Sequence, residues 1–264
     1  MDINPVVIIP VYKPVIHPYE QISLLHAHQY LSRYRLVTIQ PESLHYSLPG
    51  LDPVTFPDHF FQGRDGYNQL MLSAKFYERF QQHSHMLIYQ LDALVFRDEL
   101  MDWCAMEIDY IGASWYPDLI KKYEHMDWPY ASKGCGNGGF SLRRVEAFLR
   151  HLSNRKPVQQ QITKEIESRN LAEATLLARY QQYLDPTQYN NHESLNEDVY
   201  FGVFAPIFDH AFRVALPEMG DRFSFEYAPN GLYQKNGGHI PFGCHAWYKF
   251  PDSIEFWTPY LLQN

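Results

Sequence analysis

The chain has 264 residues, 45% hydrophobic and 20% charged, the composition of an ordinary globular protein, which excludes disordered and fibrous classes. Its 30 acidic residues outnumber 22 Lys and Arg for a formal net charge of −8, with no basic cluster longer than a pair, so the electrostatic footprint of a general nucleic-acid binder is missing. Cys104, Cys135 and Cys244 make neither a disulfide framework nor a CxxC zinc pair, and neither a signal peptide nor a transmembrane run is present, so a cytoplasmic protein is expected, with peripheral membrane association left open.

In chain order, Val6 to Val11 is a continuous β-branched run stopped by prolines and reads as a strand buried on both faces, at home in a parallel α/β sheet. Pro18 to Arg33 carries Ile22, Leu25 and Leu31 at helical spacing, and Tyr34 to Ile39 gives a second strand ended by Pro41. Strand, helix, strand is the unit of a doubly wound sheet. Residues 41–66, rich in Pro, Gly, Asp and His, read as loops. Tyr67 to Gln82 reads as one amphipathic helix with Leu70, Met71, Ala74 and Tyr77 on its apolar face. His85 to Tyr89 is another buried strand, running straight into Gln90 to Phe96. Ile108 to Ala113 is short and apolar. A glycine cluster from Gly134 to Gly139 precedes Phe140 to Arg144 and a helix ending near His151. Residues 155–192 are polar and Gln-rich with helical periodicity and read as a helical insertion. The tail from Phe223 reads as ordered loops. No internal repeat occurs, and residues 1–264 are expected to form a single domain.

Aromatic residues reach 16%, which suits a sugar-stacking cleft and a bulky core equally, with Trp115, Trp247 and Tyr248 as stacking candidates. Asp92 lies where an apolar strand ends, the position at which open α/β sheets bind ligands. A carboxylate there suits Mg²⁺ or Mn²⁺, which take one or two protein carboxylates beside phosphate oxygens.

The stretch from Leu87 to Phe96 resembles the strand plus Asp-x-Asp signature of GT-A fold glycosyltransferases, enzymes that use nucleotide-sugar donors, with Gln90 at the first acidic position and Asp92 at the second. The resemblance implies that Gln90 hydrogen-bonds the donor ribose and Asp92 ligates Mn²⁺ or Mg²⁺, with Pro10, Val11 and Tyr12 also on the donor side. Gly136 to Arg143 resembles the family's glycine-rich segment, where backbone approaches the donor sugar and acceptor; this implicates Asn137, Gly138 and Gly139. Asn196 to Gly202 resembles the Glu-Asp-Val-Tyr-Val-Gly motif of inverting β-1,3-type glycosyltransferases and implies Asp198 as general base, with Glu197 in reserve. The same residues also read as a helix start capped by Asn196 or Asp198. Pro241 to Trp247 resembles the late histidine segment of such enzymes, implying His245 as a second metal or diphosphate contact.

The whole pattern, including Tyr67 to Ser73, is most similar to a bacterial family of uncharacterised GT-A-like domains. It implies a GT-A-like, Rossmann-like fold, a mainly parallel central sheet flanked by helices. The activity implied is transfer of a sugar from a nucleoside diphosphate donor, a UDP-sugar foremost, to a hydroxyl of a glycan or similar acceptor, with inversion. Two alternatives stand beside it: a catalytically weak or dead carbohydrate-binding relative, which Gln90 favours, and a sugar-nucleotide nucleotidyltransferase, whose Gly-rich loop is missing from Val11 to Val15.

Overall fold

The computed structural model describes residues 2–115, 135–153 and 196–262, with positions 160, 164 and 167. In chain order the elements are β1 (Pro5–Pro10), α1 (Pro18–Leu31), β2 (Arg35–Pro41), β3 (Asp52–Phe56), a 3₁₀ turn (Asp58–Phe61), α2 (Gly63–Met71), α3 (Ala74–Glu78), β4 (His85–Tyr89), β5 (Leu94–Val95), α4 (Leu100–Cys104), β6 (Tyr110–Ile111), β7 (Phe140–Arg144) and α5 (Val145–Ser153). After residue 196 follow α6 (Glu197–Val199), a π-helical turn (Tyr200–Phe204), α7 (Ala205–Phe208), α8 (Pro217–Phe223), β8 (Ser224–Phe225), α9 (Pro229–Lys235), β9 (Gly243–Cys244) and α10 (Pro251–Trp257).

The main sheet has strand order β3-β2-β1-β4-β7-β6. The first four strands are parallel neighbours, whereas β7 runs antiparallel to both β4 and β6. Alternate strand residues feed two cores, as the two-residue period of a strand requires. Val6, Ile8, Val37, Ile39, Met86 and Ile88 pack toward Phe76, Tyr77, Phe148 and Phe201. Val7, Ile9, Leu36, Leu87 and Tyr89 pack toward Ala27, Leu31, Trp103 and Phe140 on the other face. The expected mainly parallel α/β sheet covered on both faces is therefore what the chain forms.

Helix α1 starts with a capping box: the His17 ring accepts from the Tyr19 amide, Glu20 accepts from the His17 amide at 2.6 Å, and Pro18 opens the first turn. Its buried His26 accepts the Leu262 amide on Nε2 at 3.0 Å, so Nδ1 carries the proton and donates to the Val95 carbonyl at 2.8 Å. Burial lowers the pKa of that ring, and the neutral tautomer ties α1 to β5 and to the end of the chain.

Four expectations are corrected. The helix over 67–82 is two helices, because Leu72 leaves the helical region and Ser73 is extended, which breaks the axis between α2 and α3. Residues 41–66 contain β3, an edge strand of which only Phe56 is buried, and the start of α2. The strand at His85 ends at Tyr89 and does not continue to Phe96; β5 belongs to a second, three-stranded sheet of order β5-β9-β8. The tail holds β8, α9, β9 and α10 where loops were expected. The insertion expected over 155–192 lies outside the described residues, apart from three isolated positions.

His85 on β4 is buried, and burial, then the nearby Arg144 charge, lowers its pKa to about 4. The unfolded chain takes up this proton near pH 6.5 and the folded chain only near 4, so the stabilisation is complete above pH 6.5 and is lost as the pH falls toward 4. Equilibrium unfolding should show a loss of roughly 2–3 kcal/mol across that window, and His85→Gln should flatten it. An unchanged slope in the variant would assign the acid limb to other groups.

Candidate functional site

In an open α/β sheet the crevice opens where consecutive crossovers leave in opposite directions. Here β1 sits between β2 and β4, and a cavity of about 520 Å³ opens where the chain leaves β1 and β4. Pro10, Val11 and Tyr12 line it from β1, and Gln90, Leu91 and Asp92 from beyond β4. All five of the non-glycine donor-side candidates from these two segments therefore share one cleft. Lys13, Arg64 and Lys249 also line it, with Glu20 3.1 Å from Lys13 and Asp92 3.3 Å from Lys249, so the wall carries three cations against two carboxylates.

The small sheet brings His245 against two residues that line this cleft. Leu94 on β5 registers with Cys244 on β9, the Trp247 amide donates to the Asp92 carbonyl at 3.1 Å, and the His245 amide donates to the Phe225 carbonyl at 2.9 Å. His245 Nε2 then lies 3.2 Å from Asp92 Oδ1 and 3.2 Å from Gln90 Oε1, while Lys249 Nζ is 3.3 Å from Asp92 Oδ2. On the opposite ring edge, Nδ1 is 3.4 Å from Glu226 Oε1. Burial by itself would discharge the imidazolium, but Asp92 and Glu226 more than offset it and push the pKa up to about 10. Burial likewise opposes the Asp92 carboxylate, yet His245 and Lys249 hold its pKa well below the usual carboxylate range.

Among the described residues no three His, Cys, Asp or Glu side chains gather for a metal. One carboxylate oxygen, one amide oxygen and one imidazole nitrogen do converge, a donor set that suits Mg²⁺ or Mn²⁺ shared with substrate phosphates. Such a cation must displace the His245 proton and release Lys249 from Asp92. The residues fit a cation completed by its substrate.

Gly138 and Gly139 form the partition behind this centre. A Cβ on Gly139 would overlap the His245 ring, and one on Gly138 would overlap the Glu197 carboxylate. The close approach that requires glycine is thus made by the protein's own side chains. Asn137, at φ 83, turns its Oδ1 back to accept the Gly139 amide at 3.1 Å, fixing this turn. The Gln90 amide donates to the Gly139 carbonyl at 2.8 Å, so the partition is bonded directly to the cleft.

On the far side of the partition lie the two acids of α6. Glu197 is buried and accepts from Arg143 at 2.9 Å; its second oxygen has no hydrogen-bond partner among the described residues. Burial, only partly opposed by Arg143, pushes its pKa up to about 7. Arg143 is itself fully buried, donating to Tyr77 Oη at 2.9 Å and to Ser141 Oγ at 3.1 Å. Asp198 accepts the Val199 amide at 2.7 Å and the Gly138 amide at 3.4 Å, and burial, then Glu226, raises its pKa. Asn196 occupies the N-cap position with no side-chain cap bond.

Two stacking candidates are placed in packing roles. Trp247 is fully buried, its Nε1 donating to Ser23 Oγ at 3.0 Å, and Trp115 packs over Gly136 and Gly202. Tyr248 does line the cleft. Sequence reasoning missed Lys249, signalled only by its place one turn after His245, and Arg64, hidden in a segment read as loop. It also missed Glu226, which no motif marks.

Removing one member of a buried ion pair strands the other charge, at a cost of about 3–5 kcal/mol. Arg143→Met should lower unfolding stability by about that amount, and the double variant Arg143→Met, Glu197→Leu should recover most of the loss, as read by denaturant titration. No recovery would show that Arg143 stabilises through its tyrosine and serine partners instead.

The fold matches solved glycosyltransferase structures. An active-site mutant of LgtC is 13% identical with a TM-score of 0.55, covering 98% of this chain and 97% of that one. The galactosyltransferase LgtC in complex with donor and acceptor sugar analogs is 14% identical with a TM-score of 0.50, covering 98% and 97%. The apo form of mouse xyloside xylosyltransferase 1 is 13% identical with a TM-score of 0.50, covering 94% and 99%. This chain therefore has a GT-A-like fold. No curated protein sequence matches it. Residues 50–245 match the family model described as "Protein of unknown function (DUF5672)". That match spans most of the chain, and the protein belongs to the DUF5672 family.

Proposed function

We propose that the protein is a glycosyltransferase that moves a sugar from a nucleoside diphosphate sugar to a hydroxyl acceptor. One observation carries the reading: Gln90 and Asp92 line a cleft at the sheet's switch point and are both touched by His245, with Asp198 across a glycine partition. The solved neighbours of this fold are glycosyltransferases, one of them bound to donor and acceptor sugar analogs, which supports the reading.

The cleft divides the donor by chemistry. Tyr12, exposed on the cleft wall, takes the base by stacking, and Gln90 takes the ribose hydroxyls. Lys13, Arg64 and Lys249 take the diphosphate, whose charge they complement. Mg²⁺ or Mn²⁺ held by Asp92, His245 and the Gln90 amide oxygen would supply positive charge to the departing diphosphate. Asp198, its basicity raised by burial, accepts the acceptor proton as the acceptor oxygen bonds the anomeric carbon and the bond to the diphosphate breaks. Glu197 is committed to Arg143 and positions Asp198. The attack comes from the face opposite the diphosphate, so the product is inverted. Among the described residues no helix is long and apolar enough to cross a membrane.

Three measurements test this. Nucleoside diphosphates should raise the melting temperature of the protein, more so with Mn²⁺, and Asp92→Ala should remove the Mn²⁺ increment. Equal shifts with and without cation, in wild type and variant alike, would take Asp92 out of the metal role. Lys249→Ala should weaken diphosphate binding roughly tenfold or more by calorimetry while leaving nucleoside binding unchanged. Asp198→Asn should lower turnover by about 10²–10⁴ and spare donor affinity, and an α-linked donor should yield a β-linked product by NMR. An α-linked product would replace the base with a residue that stabilises a cationic transition state.

A further inference from the structure

Large exposed hydrophobic side chains are few among the described residues, and two of them touch. Tyr227 and Phe250, 39% and 37% exposed, meet edge to face with ring centroids 5.4 Å apart and planes at 89°. A single exposed aromatic residue needs no explanation, but two brought together from separate segments form a contiguous apolar corner at the surface.

The corner adjoins the site. Tyr227 follows Glu226, whose carboxylate is 3.4 Å from His245 Nδ1, and Phe250 follows Lys249, whose ammonium is 3.3 Å from Asp92. Successive Cα atoms are about 3.8 Å apart, so the backbones of Tyr227 and Phe250 lie next to those of residues that touch the central histidine and aspartate. Glu226 holds His245, whose ring packs on Gly139, and Asp198 accepts the amide of the neighbouring Gly138, so both carboxylates border the same glycine pair. The donor cleft lies at the other ring edge of His245, with Gln90 and Asp92.

An apolar corner beside carboxylates fits a ligand with an apolar face and a polar rim. A pyranose ring has both, its axial C–H bonds forming one face and its hydroxyls the edge. We infer that Tyr227 and Phe250 form the acceptor platform, taking a hexopyranoside with its C–H face on the aromatic pair and a hydroxyl toward Glu226 and Asp198. This rests on the glycosyl-transfer reading and names the acceptor class for it. The stacking role expected of Trp247, which is buried, passes to this exposed pair.

Saturation-transfer NMR with methyl β-D-galactopyranoside and methyl β-D-glucopyranoside, each with uridine diphosphate and Mn²⁺ present, tests the platform. At least one glycoside should be saturated, most strongly at its ring C–H protons. Tyr227→Ser and Phe250→Ser should each reduce that signal roughly fivefold or more, with the uridine diphosphate signal and melting temperature unchanged, while Phe250→Tyr should retain it. Saturation of uridine diphosphate with neither glycoside saturated would overturn the platform and leave the donor reading standing, as would glycoside signals unaffected by both serine variants. Loss of the uridine diphosphate signal in wild type, with glycoside saturation still sensitive to Tyr227, would instead overturn the donor reading and keep the platform.

Discussion

A guanidinium buried from water and answered by one carboxylate is the constraint on which the Asp198 side of the site depends. Arg143 and Glu197 both lose their hydration, a cost that their mutual attraction at 2.9 Å offsets only because Tyr77 and Ser141 take further donors of the guanidinium. The pair joins β7 to α6, and the Glu197 amide adds a bond to Asn68 on α2 at 3.2 Å. Asp198 is thereby fixed against the Gly138 amide. Behind it, His151 on α5 meets Tyr200 Oη at 2.8 Å, holding the π-helical turn that carries the chain away from the acid. π-Helical turns occur often at functional sites, where they redirect side chains that an α-helix would rotate away.

The Asp92 side depends on a different device. Strands β5, β8 and β9 have two residues each and could not persist alone. They are held because Phe225 and Cys244 bury into a third core with Leu94, Trp247 and Trp257. That core stabilises the loop in which His245 sits, so the histidine reaches Asp92 from a rigid support.

This division explains what could be read from the chain. Strands β1 and β4 were legible because every residue is buried and the run is unbroken. Strand β3 was not, since Asp52 and Pro53 are exposed on an edge where proline is tolerated, and polar edge residues imitate a loop. The break at Leu72 and Ser73 carries neither glycine nor proline and so gives no local signal, and Phe76 and Tyr77 beyond it are buried in the core. Within the site, Asp92, Asp198 and His245 were legible through neighbouring residues, as were the glycines. Lys249 and Glu226 were not, because their roles come from the register of β9 with β5 and β8, a pairing between distant segments.

The glycine partition also limits how relatives of this chain can diverge. His245 fills the space a Cβ on Gly139 would need, and Glu197 the space a Cβ on Gly138 would need. A side chain at 139 would need the residue at 245 to be shortened or moved first or in the same step, at the expense of the imidazole beside Asp92. The two glycines and their two partners therefore form linked pairs of characters. Substitution of either partner alone opens space beside the partition, whereas substitution of either glycine alone is sterically refused. Divergence is one-directional: the histidine or the glutamate can change first, and only afterwards can the partition thicken.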